Sequence, residues 1–133
     1  MSVKALLILP IMVFLHILVD FHIQGVLAEM KQKKFWEKFG GKYAEDYMVA
    51  MGMHSFEWIF VVSLPMLLNC WIRHRDWAVV LYFVIIIANM VVHYVVDDMK
   101  ANDLALNLAE DQMCHLVQIL CAWLAWTIIV GWI

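Results

Sequence analysis

The sequence predicts an all-α protein: a four-transmembrane-helix antiparallel bundle with a short interfacial helical connection between spans one and two. Three observations lead there. Hydrophobic residues make up 65% of the 133 and charged residues 16%, with a mean hydropathy of +0.81, far from the balance of water-soluble domains. A spanning helix needs ~20 mostly apolar residues to cross ~30 Å of hydrocarbon. Stretches at about 4–27, 54–72, 77–96 and 111–133 meet that need and leave a single transmembrane domain, 1–133, with no length for a soluble one. Finally, the polar residues within these stretches gather where four antiparallel spans would meet one membrane face.

Span one follows Lys4 with an apolar run from Ala5 to Leu15 and ends on His16, Asp20 and Gln24. No small-residue cleavage site follows before Asp20, so the run reads as a retained span and not a signal peptide; neighbouring helices can accommodate Pro10. The connection at 29–53 mixes Lys31, Lys33, Lys34, Lys38 and Lys42 with Phe35, Trp36, Phe39, Tyr43 and Tyr47. That mixture suits the headgroup region. Gly40 and Gly41 are expected to break it into two short amphipathic helices, the second ending near Gly52. Span two contains Pro65 and turns tightly through Arg73, His74, Arg75 and Asp76 into span three, the most uniformly apolar run. A polar linker around Asp97, Asp98, Lys100, Asn102 and Asp103 precedes span four.

Basic residues divide six to three between the two faces: Lys31, Lys33, Lys34, Lys38, Lys42 and Lys100 against Lys4, Arg73 and Arg75. The positive-inside rule makes the lysine side cytoplasmic and puts both termini outside a cell inner membrane. Trp71, Trp77 and Trp132 are expected to form an aromatic belt at the outer face, with Trp36 and Trp58 near the inner one. The net charge of −3 excludes nucleic acid as a natural partner; membrane lipids are the expected one, and a homo-oligomer is compatible with the composition. Cys70, Cys114 and Cys121 lie in apolar segments without zinc or disulfide spacing and read as packing residues. The scattered methionines read as flexible core or lipid-facing side chains, and His22 and His74 as interface residues.

Topology brings together His16, Asp20 and Gln24 of span one; His54 and Glu57 of span two; Asn89, His93 and Asp97 of span three; and Asp111, Gln112, His115 and Gln118 of span four. Three histidine–carboxylate pairs, His16 with Asp20, His93 with Asp97 and Asp111 with His115, are four residues apart and so share a helical face. Singly, each polar residue fits a helix end wetted by the interface. Together they are costly in hydrocarbon unless they face the bundle interior. His16-Ile-Leu-Val-Asp20 also echoes His93-Tyr-Val-Val-Asp97, as two pseudo-symmetric helical hairpins would.

Imidazole with carboxylate suits zinc, manganese or iron. His16, His54, His93, Asp97 and His115 are therefore the expected ligands of a divalent transition metal, zinc first. Asp20 and Asp111 are expected as further ligands or as orienters of the imidazoles, and they share with Glu57 the candidacy for general base.

The series His16-x-x-x-Asp20-Phe21-x-x-Gln24, His54-Ser55, His93-x-x-x-Asp97-x-x-Lys100 and Asp111-Gln112-x-x-His115 resembles the domain of unknown function 3307 family of small bacterial and phage membrane proteins. That resemblance covers nearly the whole chain and implies the bundle but no activity. More distantly, the pattern is similar to membrane-bound metal-dependent hydrolases, which also set histidines and acids at helix ends. The expected function is thus metal-dependent hydrolysis of a lipid or other amphipathic substrate at the cytoplasmic interface. The competing expectations are a non-enzymatic membrane module, either a small transporter or proton path or a phage or host effector that binds other membrane proteins, and a polar cluster that serves only as interhelical glue. A proton path should continue to the far face, where the spans offer mainly Ser63, Asn69 and Thr127.

Overall fold

A computed structural model describes residues 3–132, apart from the side chain of Lys4. Ile133, the end of the expected fourth span, and the Lys4 side chain, counted with the outer basic residues, lie outside the described residues. Among the described residues the regular secondary structure is all helical: seven α-helices with one π-helical and one 3-10 turn. The helices are α1 Val3–Leu18, α2 Leu27–Met30, α3 Lys33–Glu37, α4 Asp46–Val62, α5 Leu64–Arg73, α6 Asp76–Ala101 and α7 Leu108–Ile129.

Three of these segments are long and apolar enough to cross a membrane: α1 with its π turn, α6 and α7. A fourth exists if α4 and α5 are one span, bent by 47°. The bend has a local cause. Ser63 closes α4 by donating its N–H to the carbonyl of Ile59, and Pro65 sits in the first turn of α5. Proline has no N–H to continue the α4 ladder but fits a first helical turn. The stretch expected as one span at 54–72 is therefore divided between two helices, α4 and α5, bent at Ser63, and the interfacial helix expected to end near Gly52 is instead the first turns of α4.

The connection keeps only α2, α3 and the 3-10 turn as separate pieces. Asn102 clips it to the end of α6 by accepting from Lys33 N–H at 2.7 Å and donating to the Lys31 carbonyl at 3.1 Å. Helix α7 starts three residues before the expected Asp111, because the Asn107 side chain accepts from the N–H groups of Ala109 and Glu110 while Glu110 accepts from Asn107 N–H. This reciprocal cap satisfies otherwise unpaired first-turn donors.

Helix α4 packs along α6 and against α1, α7 packs against α1 and α6, and α5 runs along α6. The core between them holds Met12, Trp58, Ile59, Met66, Tyr82, Ile119 and Trp126. The outer faces carry Leu7, Phe14, Val80, Val84, Ile87, Val91, Val117 and Ile128, all exposed. In water such a surface is a liability; against lipid tails it needs no cover. Trp71 and Trp77 are exposed, as a belt requires, whereas Trp132 is buried against Trp126 and donates to Thr127 Oγ1. The three cysteines are free.

Candidate functional site

The candidate site is built where α1, α4, α6 and α7 meet. At the end of α1 the backbone widens into a π turn, Val19–Ile23, in which Gln24 N–H reaches the carbonyl of Val19. Such a turn shifts the helical register and recurs at functional sites. Here Asp20 is buried, while His22 stays exposed. Helix α4 supplies His54, α6 supplies His93 and Asp97 one turn apart, and α7 supplies Asp111 and His115 one turn apart. All six, with His16, are buried.

Asp97 is the hub. Its Oδ1 lies 3.1 Å from His115 Nε2 and 3.6 Å from His93 Nε2, and its Oδ2 lies 3.3 Å from His54 Nε2. His54 Nε2 is also 3.5 Å from Asp20 Oδ1 and 3.4 Å from His93 Nε2, and His115 Nε2 is 3.3 Å from Asp111 Oδ1. Two groups of mutually close donor atoms result: Asp20, His54, His93 and Asp97; and Asp20, Asp111 and His115, with Asp20 in both. Four ligands at ~2.1 Å from a tetrahedral ion stand about 3.4 Å apart; His54 Nε2 lies 3.3 to 3.5 Å from donor atoms of Asp20, His93 and Asp97, and all donor atoms of that group lie within 4.8 Å of one another, so the group could hold one cation.

The proton arrangement around His115 points the same way. Gln118 donates its amide N–H to the carbonyl of Asn89, which fixes its Oε1 as an acceptor 3.2 Å from His115 Nδ1. The same Nδ1 lies 3.1 Å from His93 Nδ1; in the tautomer that donates from Nδ1 to Gln118, Nε2 of a neutral ring presents a lone pair to two carboxylate oxygens. Neither His115 Nε2 nor Asp111 Oδ1 has a hydrogen bond, although they lie within ion-pair distance of each other. Buried polar atoms left in this way are costly, and a positive charge between them relieves the cost.

His16 stands outside both groups. Its Nδ1 accepts from Trp58 Nε1–H at 2.8 Å, and its Nε2 faces Gln112 Oε1 at 3.0 Å. Indole can only donate, so the imidazole is assigned as the Nε2–H tautomer donating to Gln112. The Gln112 amide then donates to Asp20 Oδ2 at 2.7 Å and Asp111 Oδ2 at 2.9 Å. Trp58, His16, Gln112 and the two aspartates form one directed chain, in which His16 has no free nitrogen. The echo between its motif and His93-x-x-x-Asp97 thus covers two different jobs. Glu57 is half-exposed, and among the described residues no hydrogen bond or ion pair joins it to the cluster.

Three participants were missed by sequence reasoning. Trp58, expected near the interface, is fully buried, hydrogen-bonded to His16 and stacked on the His93 ring at 4.1 Å. Its position four residues after His54 was the available signal. Lys31, one of five lysines in the connection, reaches Asp97 Oδ2 at 2.5 Å; nothing in the sequence distinguished it. Lys100, placed by sequence only in the polar linker before span four, reaches Asp111 Oδ2 at 2.6 Å. Two ammonium groups therefore face three carboxylates, leaving one negative charge when the imidazoles are neutral.

On the flank between α1 and α7, a groove of about 560 Å³ is lined by Val13, His16, Ile17, Phe21, His22, Gln112 and Leu116. Its wall is mainly apolar, and the His16–Gln112 pair is its link to the cluster. No protein-family model, curated protein or solved structure matches the chain.

Proposed function

We propose that this chain is a metal-dependent hydrolase of the membrane, with α4 and α5 counting as one bent span of a four-span antiparallel bundle, the lysine-rich connection cytoplasmic and both termini outside. The observation that carries the reading is the pair of fully buried atoms, His115 Nε2 and Asp111 Oδ1, held 3.3 Å apart without a hydrogen bond. Asp20, His54, His93 and Asp97 would hold one divalent transition metal ion, zinc being the best match to this nitrogen and oxygen set. Asp20, Asp111 and His115 would hold a second or complete the shell of the first.

Such an ion, once bound, supplies Lewis acidity and lowers the pKa of water toward ~7. The protein's own part is positioning. Trp58 and Gln112 fix the tautomer of His16, and Gln112 holds Asp20 and Asp111 by one oxygen each, so that their other oxygens stay turned to the histidines. Lys100, a third exposed at its side chain, is the group through which an anionic substrate would first meet the site. The mainly apolar groove beside His16 and Gln112 supports a lipid or other amphipathic substrate drawn from the bilayer.

The two lysine–carboxylate pairs favour a second reading. They neutralise most of the cluster's charge, as a metal-free module that binds other membrane proteins would require. Metal content of the purified full chain separates the two. The hydrolase reading expects at least one tightly held transition metal ion per chain, lost in His93→Ala, with lipid ester or phosphoester hydrolysis lost alongside it. A folded wild-type chain that holds no such metal after exposure to excess zinc would overturn it.

A further inference from the structure

A different site lies at the opposite end of the bundle. The bend at Ser63 carries α5 along α6, and between α5 and α1 it leaves a groove of about 380 Å³. Pro65, Leu68, Asn69 and Ile72 line it from α5 and Ile8 and Ile11 from α1, with Trp132 closing one end. The α5 residues recur at helical spacing, so they form one continuous stripe along the groove.

Asn69 is the one polar side chain with an amide in that wall. It is 1% exposed and accepts from Trp126 Nε1–H at 3.2 Å through Oδ1, while its Nδ2 has no partner among the described residues. A buried amide donor without an acceptor is disfavoured by a few kcal/mol, more so in hydrocarbon. One turn further along the same helix, Arg73 is exposed and donates through Nη1 to the carbonyl of Trp132 at 2.9 Å. That bond holds the guanidinium beside Trp132, which lines the groove, and among the described residues its remaining donors have no partner, which suits them to an anion.

We propose that this groove is a binding site for one anionic glycerophospholipid, with the phosphate on Arg73, a glycerol ester carbonyl on the unpaired Asn69 Nδ2, and an acyl chain along Leu68, Pro65, Ile11 and Ile8. The spacing matches. Arg73 and Asn69 are one helical turn apart, ~6 Å along the axis, about the separation of phosphate and ester carbonyl in such a lipid. Depth matches too, because the charged end lies at the tight turn into α6 and the apolar end lies within the bundle. The proposal rests on α5 lying in a bilayer and is independent of any metal at the other face.

The test is native mass spectrometry of the full chain, delipidated in detergent and titrated with phosphatidylglycerol or phosphatidylcholine. Wild type should take up one phosphatidylglycerol in preference to phosphatidylcholine. Arg73→Gln should weaken phosphatidylglycerol about tenfold, as loss of a charged hydrogen bond predicts, and Arg73→Lys should recover part of it. Leu68→Trp, which fills the groove from a half-exposed position, should reduce both lipids; Ile11→Trp does the same from the other wall should that variant fold poorly. Lys38→Gln and Ile128→Trp, which change charge and bulk elsewhere, should leave binding unchanged. Equal uptake of both lipids by wild type, or equal losses in the groove variants and these two controls, would overturn the proposal.

Discussion

Replacing Asp97 with asparagine tests how the acidic hub is held when no metal is present. The change preserves shape and removes one charge. It leaves the Lys31 ammonium, whose side chain is 11% exposed, 2.5 Å from a neutral amide. Breaking a buried ion pair from one side costs about 3–5 kcal/mol. Lys31 sits on a short surface connection and can turn partly to water, so about 2–3 kcal/mol is the expected loss. Lys31→Met alone should cost a similar amount, and the double variant should cost clearly less than the sum, with a coupling of about 2 kcal/mol. The corresponding cycle at Lys100 and Asp111, where the lysine side chain is 33% exposed, should give a coupling of about 1 kcal/mol or less. The assay is reversible unfolding in mixed micelles with chelator present, so that metal linkage does not enter. A coupling at Lys31–Asp97 no larger than at Lys100–Asp111, or a Lys31→Met variant as stable as one at the exposed Lys34, would refute the argument that burial decides the strength of these pairs.

The remaining predictions concern metal, the indole and topology. Asp20 belongs to both donor groups and His16 to neither, so Asp20→Asn should lower zinc affinity, followed by competition with a chromogenic chelator, by at least the roughly 10–100-fold that loss of an orienting partner causes. His16→Gln should lower it less. Trp58→Phe removes the donor that fixes the His16 tautomer and leaves a buried nitrogen unpaired; a loss of about 1–3 kcal/mol is expected, and the same substitution at the exposed Trp71 should be near neutral. In a background with Cys70, Cys114 and Cys121 replaced by alanine, single cysteines at Lys38 and Arg75 should label from opposite sides of the membrane. Labelling of both from one side would remove the four-span reading.

Much of the site was legible in the sequence because helical period and span order are local facts. Histidine and aspartate four residues apart must share a face, and ionisable groups at membrane depth must turn inward; those two rules put His54, His93, Asp97, Asp111 and His115 together before any coordinates. Composition and run length likewise determined the all-helical fold and the apolar outer surface. What escaped was set by side-chain direction and by contacts between distant segments. His16 and His93 carry the same local motif, but only packing put Trp58 and Gln112 against both nitrogens of the first and left the second facing Asp97. Glu57 shares its helix with His54 yet is partly exposed and outside the cluster, which spacing did not reveal because residues three apart are neighbours on a helix. Lys31 could be chosen from five similar lysines only by the fold, because the Asn102 clip decides which of them reaches Asp97. The bend between α4 and α5 lies between these cases. Pro65 stood in the sequence inside the expected span, but the break, its size and the groove beside Asn69 follow from how α5 packs along α6.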